Sequence, residues 1–200
     1  MHLHRSTALA AGLVLAIGTA ATAQAPTAQS GSYAVEPSHA RVLFAVSHMG
    51  TSTWYGDFTQ TSGALKLDAK TPSLSHLDVS VATDSVSTTN AKLDGELKSA
   101  DWLDAGKFPA MTFKSTKVTV TGPGRATVAG ELTLHGVTKP VVLQAKLKGF
   151  GANPMTKAYT VGFDASGTIK RSQFGVTKYV PLIGDDVDLI LSVPFVRKGD

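Results

Sequence analysis

The chain has 200 residues, of which 42% are hydrophobic and 17% are charged, so it can fill a core and is not a charged disordered protein. The absence of cysteine excludes disulfides, thiol catalysis, cysteine-ligated zinc, iron–sulfur clusters and lipidation at a lipobox cysteine. Beyond the N-terminus no apolar run reaches the roughly 20 residues of a membrane span, which excludes a polytopic membrane protein, and the net charge of +4 is too small and too dispersed to indicate nucleic-acid binding.

Residues 1–23 are typical of a secretory signal peptide. Arg5 precedes the alanine- and leucine-rich stretch Ala8–Ala20, and Ala21-Thr22-Ala23 supplies the small-x-small cleavage pattern. We predict cleavage after Ala23 and a mature chain that starts at Gln24 and lies in the periplasm. The alternative is an uncleaved membrane anchor, which the short apolar run disfavours.

The mature chain begins with a featureless segment and then changes character. Residues 24–32 are small and polar, which predicts a flexible leader. From Tyr33 onward apolar and polar residues alternate with a period of two, which is typical of half-buried β-strands. One β domain covering residues 33–198 is therefore predicted.

The alternating runs predict eight or nine antiparallel strands, each with one buried and one wet face. In chain order the runs cover residues 41–49, 53–60, 63–68, 75–83, 110–121, 125–135, 141–149, 158–169 and 187–196. Their length, and the need to protect sheet edges, favour a closed barrel over a sandwich. We predict an all-β fold: an extended antiparallel, lipocalin-like barrel of about eight strands with a short helix.

One segment between these runs breaks the period of two. In Asn90–Ser99, Leu93 and Leu97 lie four residues apart among charged residues, which predicts a short amphipathic helix. Thr88 or Thr89 is the predicted N-cap.

Three local features refine the strand assignment. The apolar parity changes within the run 110–121, which predicts a β-bulge near Ser115–Lys117. Gly122-Pro-Gly124 and Gly149-Phe-Gly151 predict turns that join strands.

The sequence carries none of the common catalytic or nucleotide-binding motifs, such as G-x-S-x-G, S-x-x-K, H-E-x-x-H or a P-loop. The acidic groups Asp101/Asp104 and Asp185/Asp186/Asp188 fall in expected turns and are interpreted as solvated loop charges rather than acid–base or calcium sites. We predict that the protein is not an enzyme and needs no cofactor.

The histidines of the mature chain are scattered, without the spacing of metal ligands, so no metal site is predicted unless the fold assembles one. They are His39, His48, His76 and His135. His48 shares the inward parity of Phe44 and Val46. It is either a buried histidine satisfied by one hydrogen bond or a polar contact to a ligand head group.

Two further questions stay open from the residues alone. Arg171, which follows a long strand, either binds an anion or ties a loop through backbone carbonyls. An eight-stranded barrel is either filled by its side chains or left open for one small ligand. Small inward residues would leave space for such a ligand; they are Gly56, Gly130, Ala145 and Ala165.

Several motifs in the correct order resemble the YceI-like family over residues 33–197. The motifs are Glu36-Pro-Ser-His39, Val42-x-Phe44-x-Val46-x-His48-Met49-Gly50, Gly56-Asp-Phe58, Asp94-x-x-Leu97-x-Ser99-x-Asp101, Phe108-Pro109-x-Met111-x-Phe113-x-Ser115, Gly130-x-Leu132-Thr133-Leu134-x-Gly136-Val137-Thr138-Lys139-Pro140 and Arg171-Ser-x-Phe174-Gly175.

The resemblance implies a lipocalin-like barrel with an elongated apolar cavity that carries a polyisoprenoid lipid or an isoprenoid quinone in the periplasm. Such a ligand leaves open a transient contact with a membrane or a membrane protein, and a homodimer is also left open. No nucleic-acid partner is predicted, because basic residues do not line one strand face with aromatic residues between them. The alternatives are a filled barrel with a structural or stress-response role, and an enzyme that uses the barrel as a substrate pocket.

Inward parity and the resemblance together give the predicted ligand-binding residues. They are Phe44, Val46, His48, Trp54, Phe58, Leu77, Val79, Phe113, Leu132, Leu134, Leu143, Phe163, Arg171, Phe174, Leu189 and Leu191. The chain also departs from the family pattern: Glu36 stands where aspartate is usual, Glu96 where histidine is usual in the helical motif, and Trp102 where phenylalanine is common. The change at Glu96 leaves the identity of the head group open.

Overall fold

The computed structural model describes residues 27–199, and the predicted signal peptide therefore lies outside the described residues. The described chain folds into eleven β-strands and one α-helix. The strands are β1 (Gly31–Val35), β2 (Arg41–His48), β3 (Ser52–Phe58), β4 (Thr61–Leu67), β5 (His76–Ala82), β6 (Val86–Ser87), β7 (Ala110–Gly122), β8 (Arg125–Leu134), β9 (Val137–Ala152), β10 (Tyr159–Lys170) and β11 (Ile183–Arg197), and the helix is α1 (Ala91–Lys98).

The strands close into an antiparallel barrel with eight strand positions. The ring runs β1-β4-β5-β7-β8-β9-β10-β11 and is closed by the pairing of β1 with β11. Strand β2 continues the line of β1, β3 that of β4, and β6 that of β5. Each of the first three strand positions of the barrel is therefore formed by two short strands with a break between them. The predicted barrel with a short helix is confirmed.

Strand β11 closes the barrel because it is long enough to pair with two strands at once. Its C-terminal part pairs with β1, where Phe195 lies opposite Val35. Its preceding part pairs with β2, where Leu191 lies opposite Val42. Closure leaves the main ring without a free edge, which protects long strands of this kind from edge-to-edge aggregation.

Two sequence predictions about the strands are confirmed. The register between β7 and β8 shifts between Ser115 and Lys117, at the predicted bulge. The chain turns between β7 and β8 at Gly122–Gly124, where Gly124 has a φ of 63° that suits glycine.

Two other predictions need correction. The segment Gly149–Gly151 is not a turn, because β9 continues through it and pairs with β10. Strand β1 starts at Gly31, so residues 31 and 32, predicted as part of the leader, belong to the barrel. Gln29 also accepts a hydrogen bond from the Tyr33 hydroxyl, and Ser30 accepts one from the Ala69 amide.

Helix α1 forms at the predicted place but with a different cap. The Asn90 side chain accepts hydrogen bonds from the amides of Lys92 and Leu93, so Asn90, rather than a threonine, is the N-cap. Thr88 is engaged elsewhere: its amide and its hydroxyl both donate to Asp94 Oδ1, each at 2.6 Å. This arrangement ties the segment before the helix to the helix itself.

The barrel has two ends with different structures. One end carries the β2–β3 turn, helix α1, the β8–β9 turn and the segment between β10 and β11. The other end carries the β4–β5, β7–β8 and β9–β10 connections and both termini of the described chain. The first end is called the helix end below.

Candidate ligand cavity and its mouth

An apolar cavity of about 350 Å³ runs through the barrel. It is lined by the inward side chains of the long strands, and its polar lining residues are Ser75, His76, Thr112 and Arg171. Such a volume lies within the range of small-molecule sites. The size and lining of the cavity suit an apolar ligand.

Most of the predicted ligand-binding residues lie on the wall of this cavity. They are Phe44, Val46, Phe58, Leu77, Val79, Phe113, Leu132, Leu134, Leu143, Phe163, Arg171, Leu189 and Leu191. Strand alternation placed all of them except Arg171, because residues two apart on a strand share one face of the sheet; Arg171 lies in the 3-10 turn after β10. Their contact with a ligand remains a prediction.

Three predicted residues do not lie on the cavity wall. Phe174 is almost fully buried and packs in the hydrophobic cluster around Leu134 and Ile169. His48 and Trp54 lie at the helix end and line a second space there, with their rings 6.4 Å apart in an edge-to-face arrangement. Phe174 is thus a core residue, and the other two belong to the cavity's entrance.

Sequence reasoning missed the residues that close the helix end. Leu97 of α1, and Trp102 and Leu103 just after it, line the cavity together with Val176 and Ile183. The helical spacing of Leu93 and Leu97 signalled an apolar helix face, but it gave no indication of which surface that face covers. Helix α1 covers the helix end of the cavity and is called its lid below. Its position there is set by contacts between segments far apart in the sequence.

Small inward residues contribute to the cavity in two different ways. Ala145 and Ala165 lie opposite each other on β9 and β10 and line the cavity, as predicted. The space beside Gly56 is instead filled by the ring of Phe44, and that beside Gly130 by the ring of Phe113. These two glycines therefore seat aromatic rings against the wall and do not leave open space.

Replacement of Gly130 by alanine is expected to lower the free energy of unfolding by about 1–3 kcal/mol. The new Cβ would meet the Lys114 carbonyl oxygen as well as the Phe113 ring, and a backbone atom cannot rotate away. Gly149→Ala is the matched control, because a Cβ at that strand position meets nothing within 4 Å. Urea midpoints measure both variants; equal midpoints would contradict the tight fit at Gly130.

The helix end holds a second space of about 500 Å³, called the mouth below. It shares lining residues with the cavity, among them Phe44, Leu97 and Trp102, so the two spaces adjoin. Polar side chains form a larger share of the lining in the mouth than in the cavity. Its lining residues outside the shared set are His48, Met49, Trp54, Thr88, Asn90, Lys92, Leu93, Glu96, Tyr179 and Leu182.

Two departures from the family pattern contact each other at the mouth. The Trp102 indole N–H donates to Glu96 Oε1 at 3.3 Å. Glu96, where histidine is usual, thus accepts a hydrogen bond from Trp102, where phenylalanine is common. The ring of Tyr179 packs edge-on against Trp102 with centroids 6.2 Å apart, which extends this aromatic cluster across the mouth.

Arg171 ties the segment between β10 and β11 to the barrel. Its guanidinium is buried and donates to three carbonyl oxygens: Nε to Gly184 at 2.8 Å, Nη1 to Val176 at 3.0 Å and Nη2 to Ile183 at 2.8 Å. The guanidinium also lies 5.2 Å from the centre of the Trp102 ring. Of the two roles left open by the sequence, this geometry favours the loop tie.

The electrostatics around this tie fit a structural role. Burial lowers the pKa of the Arg171 guanidinium, and the nearby charge of Asp185 opposes that shift. Asp185 accepts hydrogen bonds from the backbone amide and the hydroxyl of Ser172. The hydrogen bond from the backbone amide lowers the pKa of the Asp185 carboxyl. The acidic residues at Asp185 and Asp186 are thus engaged locally, since Asp186 also pairs with Lys170 at 2.7 Å.

Within residues 27–199 no group of three or more histidine or acidic side chains is arranged to hold a metal ion. Asp101, from the other acidic pair of the sequence, forms an ion pair with Lys178 at 2.7 Å. In the same described part, no helix is long and apolar enough to cross a membrane.

Comparison with known proteins gives consistent matches over the whole barrel. The model of the YceI-like domain family matches residues 33–195. A UPF0312 protein of Ectopseudomonas mendocina is 40% identical over 86% of this chain and 90% of its own length. One of Yersinia enterocolitica is 43% identical over 81% of this chain and 83% of its own length.

Solved structures agree with the barrel. The Campylobacter jejuni YCEI protein has a TM-score of 0.69 and 30% identity, covering 76% of this chain and 90% of that one. Burkholderia cenocepacia BcnA has a TM-score of 0.73 and 23% identity, covering 80% and 98%. A polyisoprenoid binding domain from Saccharophagus degradans has a TM-score of 0.62 and 13% identity, covering 85% and 100%; at these last two identities the likeness concerns the fold.

Proposed function

The chain belongs to the YceI-like domain family, and from this premise we propose that it is a periplasmic carrier of a polyisoprenoid lipid or an isoprenoid quinone. The isoprenoid tail would occupy the barrel cavity and the head group the mouth. No covalent step is part of this function, so the protein acts as a binding protein rather than an enzyme.

The observation that carries the proposal is the size of the apolar cavity. An unfilled apolar space of about 350 Å³ leaves the side chains that line it without packing partners. Protein interiors are otherwise close-packed, so a space of this size is costly to keep. A barrel with a purely structural role gains nothing from such a space, whereas a carrier needs it.

The energetics of the tail suit a carrier that also releases its cargo. Hiding a tail from water is worth roughly 0.8 kcal/mol per CH₂, so a tail of about twenty carbons gains about 16 kcal/mol. A bilayer hides the same tail equally well, and transfer between bilayer and barrel is then close to neutral. Selectivity would come from the cavity's shape and from the head group.

The mouth supplies the mixed chemistry that a head group needs. Trp54, Trp102 and Tyr179 offer flat apolar surfaces, while His48 and Lys92 offer hydrogen-bond donors. His48 is partly exposed, and its ring makes no hydrogen bond to another residue within residues 27–199, so its nitrogens are free to contact a head group. The likeness to a structure described as a polyisoprenoid binding domain is consistent with this assignment.

Extraction of the purified protein's bound small molecules tests the proposal directly. Protein isolated from a lipid-containing bacterial host is expected to release about one isoprenoid lipid or quinone per chain, identified by mass spectrometry. A cysteine-free control protein purified in parallel should release none. Recovery of no isoprenoid, or of membrane phospholipid in host proportions, would contradict the proposed function.

The periplasmic location rests on the pattern of residues 1–23 and gives its own prediction. Intact-mass measurement of periplasmic material is expected to show a chain that starts at Gln24. Replacing Ala21 and Ala23 by bulky residues should block processing and leave a heavier, membrane-associated species. A full-length parent chain in the membrane fraction would contradict cleavage after Ala23.

A further inference from the structure

The helix end of the barrel carries a cluster of exposed apolar side chains beside the mouth. Met49 is 60% exposed, Tyr179 54% and Leu182 62%, and Val180 between the last two is also exposed. The Met49 amide donates to the Leu182 carbonyl at 2.8 Å, and the Ile183 amide donates to the Tyr179 carbonyl at 2.8 Å, so the two turns are joined. These four residues are called the rim patch.

The backbone at the rim patch is unfavourable for the side chains it carries. Met49 and Gly50 form the turn between β2 and β3, with φ values of 53° and 67° and a hydrogen bond from Thr51 to His48. Turns of this kind prefer asparagine, aspartate or glycine at both positions. Tyr179 also has a positive φ, of 59°. Two large apolar side chains are thus held outward by conformations that disfavour them.

The rim patch is continuous with the ligand path. Met49, Tyr179 and Leu182 line the mouth, and the mouth shares wall residues with the apolar cavity. Any surface that covers the patch therefore faces the mouth. A tail that leaves such a surface would meet apolar side chains next to the cavity.

From this placement we propose that the rim patch inserts into a lipid bilayer and that the protein loads and releases its cargo while docked there. The inference rests on the proposed carrier function and adds the surface through which the carrier meets its lipid. A bilayer fits better than a protein partner because a stable protein interface takes about 20–30 residues a side, far more than this patch offers.

The charges around the patch define the kind of bilayer contact. Lys178 is paired with Asp101 at 2.7 Å and lies 5.2 Å from the centre of the Tyr179 ring, while Lys92 and Glu96 oppose each other in charge at the mouth. The four charges that border the patch and the mouth therefore cancel in sum. Docking is therefore driven by apolar insertion, and neither anionic lipid nor low salt is required.

Flotation with phosphatidylcholine vesicles tests this surface, using the protein as purified from exported material. Met49→Asn suits the turn and removes the apolar side chain, so the urea midpoint should stay equal or rise while vesicle binding falls. Combined with Leu182→Ser, binding is expected to fall about tenfold or more. Met155→Asn is the matched control: Met155 is 88% exposed but lies at the opposite end, and binding should stay within about twofold.

The possible results separate the docking surface from the carrier function. Binding of the parent protein should persist in 0.5 M salt, about where surface charges are strongly screened. Loss of binding in salt, an equal effect of Met155→Asn, or a dimer in sedimentation that Met49→Asn abolishes would each overturn the docking proposal. If the purified protein still yields isoprenoid lipid on extraction, the carrier function stands in those cases. Vesicle binding without extractable isoprenoid would instead support the docking surface and contradict the proposal that the protein carries an isoprenoid.

Discussion

Replacement of Arg171 by alanine is expected to lower the free energy of unfolding by about 3 kcal/mol or more. The change removes three charge-assisted hydrogen bonds, each worth about 1.5–3 kcal/mol, and water entering from the mouth recovers part of that loss. It also removes the contact with the Trp102 ring. The measurement is the urea midpoint, together with hydrogen exchange of the amides from residue 172 to residue 184.

Arg171→Lys is the informative companion variant. Lysine keeps the positive charge but cannot reach three carbonyls in the fixed geometry of a guanidinium, so an intermediate loss of stability is expected. If the role of Arg171 were instead to bind an anionic head group, both variants would leave the urea midpoint unchanged and alter only the bound lipid. That outcome would reverse the assignment of Arg171 as the loop tie.

Strand alternation predicted the barrel and most of its inner wall because each strand of this fold faces water on one side. On β11, for example, Leu189 and Leu191 alternate with Asp188 and Ser192, and the cavity takes the leucines. The same rule explains the bulge near Thr116: an extra residue was needed to keep both Phe113 and Val118 inside. A pattern set by the hydrophobic effect can be read without tertiary information.

The lid and the mouth could not be predicted in this way, because they depend on contacts between segments far apart in sequence. Leu97 and Ile183 line the same cavity although their local patterns have nothing in common. The carbonyls that hold Arg171 belong to residues of loops and strand ends, where sequence indicates little about direction. Phe174, which came from the Arg171-Ser-x-Phe174-Gly175 motif, lies off the cavity wall in a short 3-10 turn, where strand alternation gives no direction.

The glycines show a third limit of sequence reasoning. A small residue on the inner face predicts space, yet Gly56 and Gly130 lie under the rings of Phe44 and Phe113. In both cases the ring comes from the neighbouring strand, so only the register between strands reveals the contact. Ala145 and Ala165 have no such aromatic neighbour opposite them, since they face each other.

Leu132→Lys is expected to empty the cavity of lipid while leaving a barrel that still folds with reduced stability. Leu132 lines the cavity, so its replacement directs an ammonium group into an apolar space. Because the cavity is only partly enclosed, water can enter around the charge and limit the cost to about 2–3 kcal/mol, less than the loss in a sealed core. Retained lipid is expected to fall at least about tenfold, a change that corresponds to about 1.4 kcal/mol.

Two companion variants decide whether this result reports strand parity and an open cavity. Thr133 points outward and shares a hydrogen bond of 2.8 Å with Thr138, so Thr133→Lys should cost no more than about 1 kcal/mol and keep its lipid. Leu132→Ala should cost less than the roughly 2–5 kcal/mol of a sealed core, because one wall of that site is already open. Urea midpoints and retained lipid are measured for all three. Complete unfolding of Leu132→Lys would indicate a solidly packed barrel, and equal tolerance at Leu132 and Thr133 would mean that Leu132 does not face a ligand.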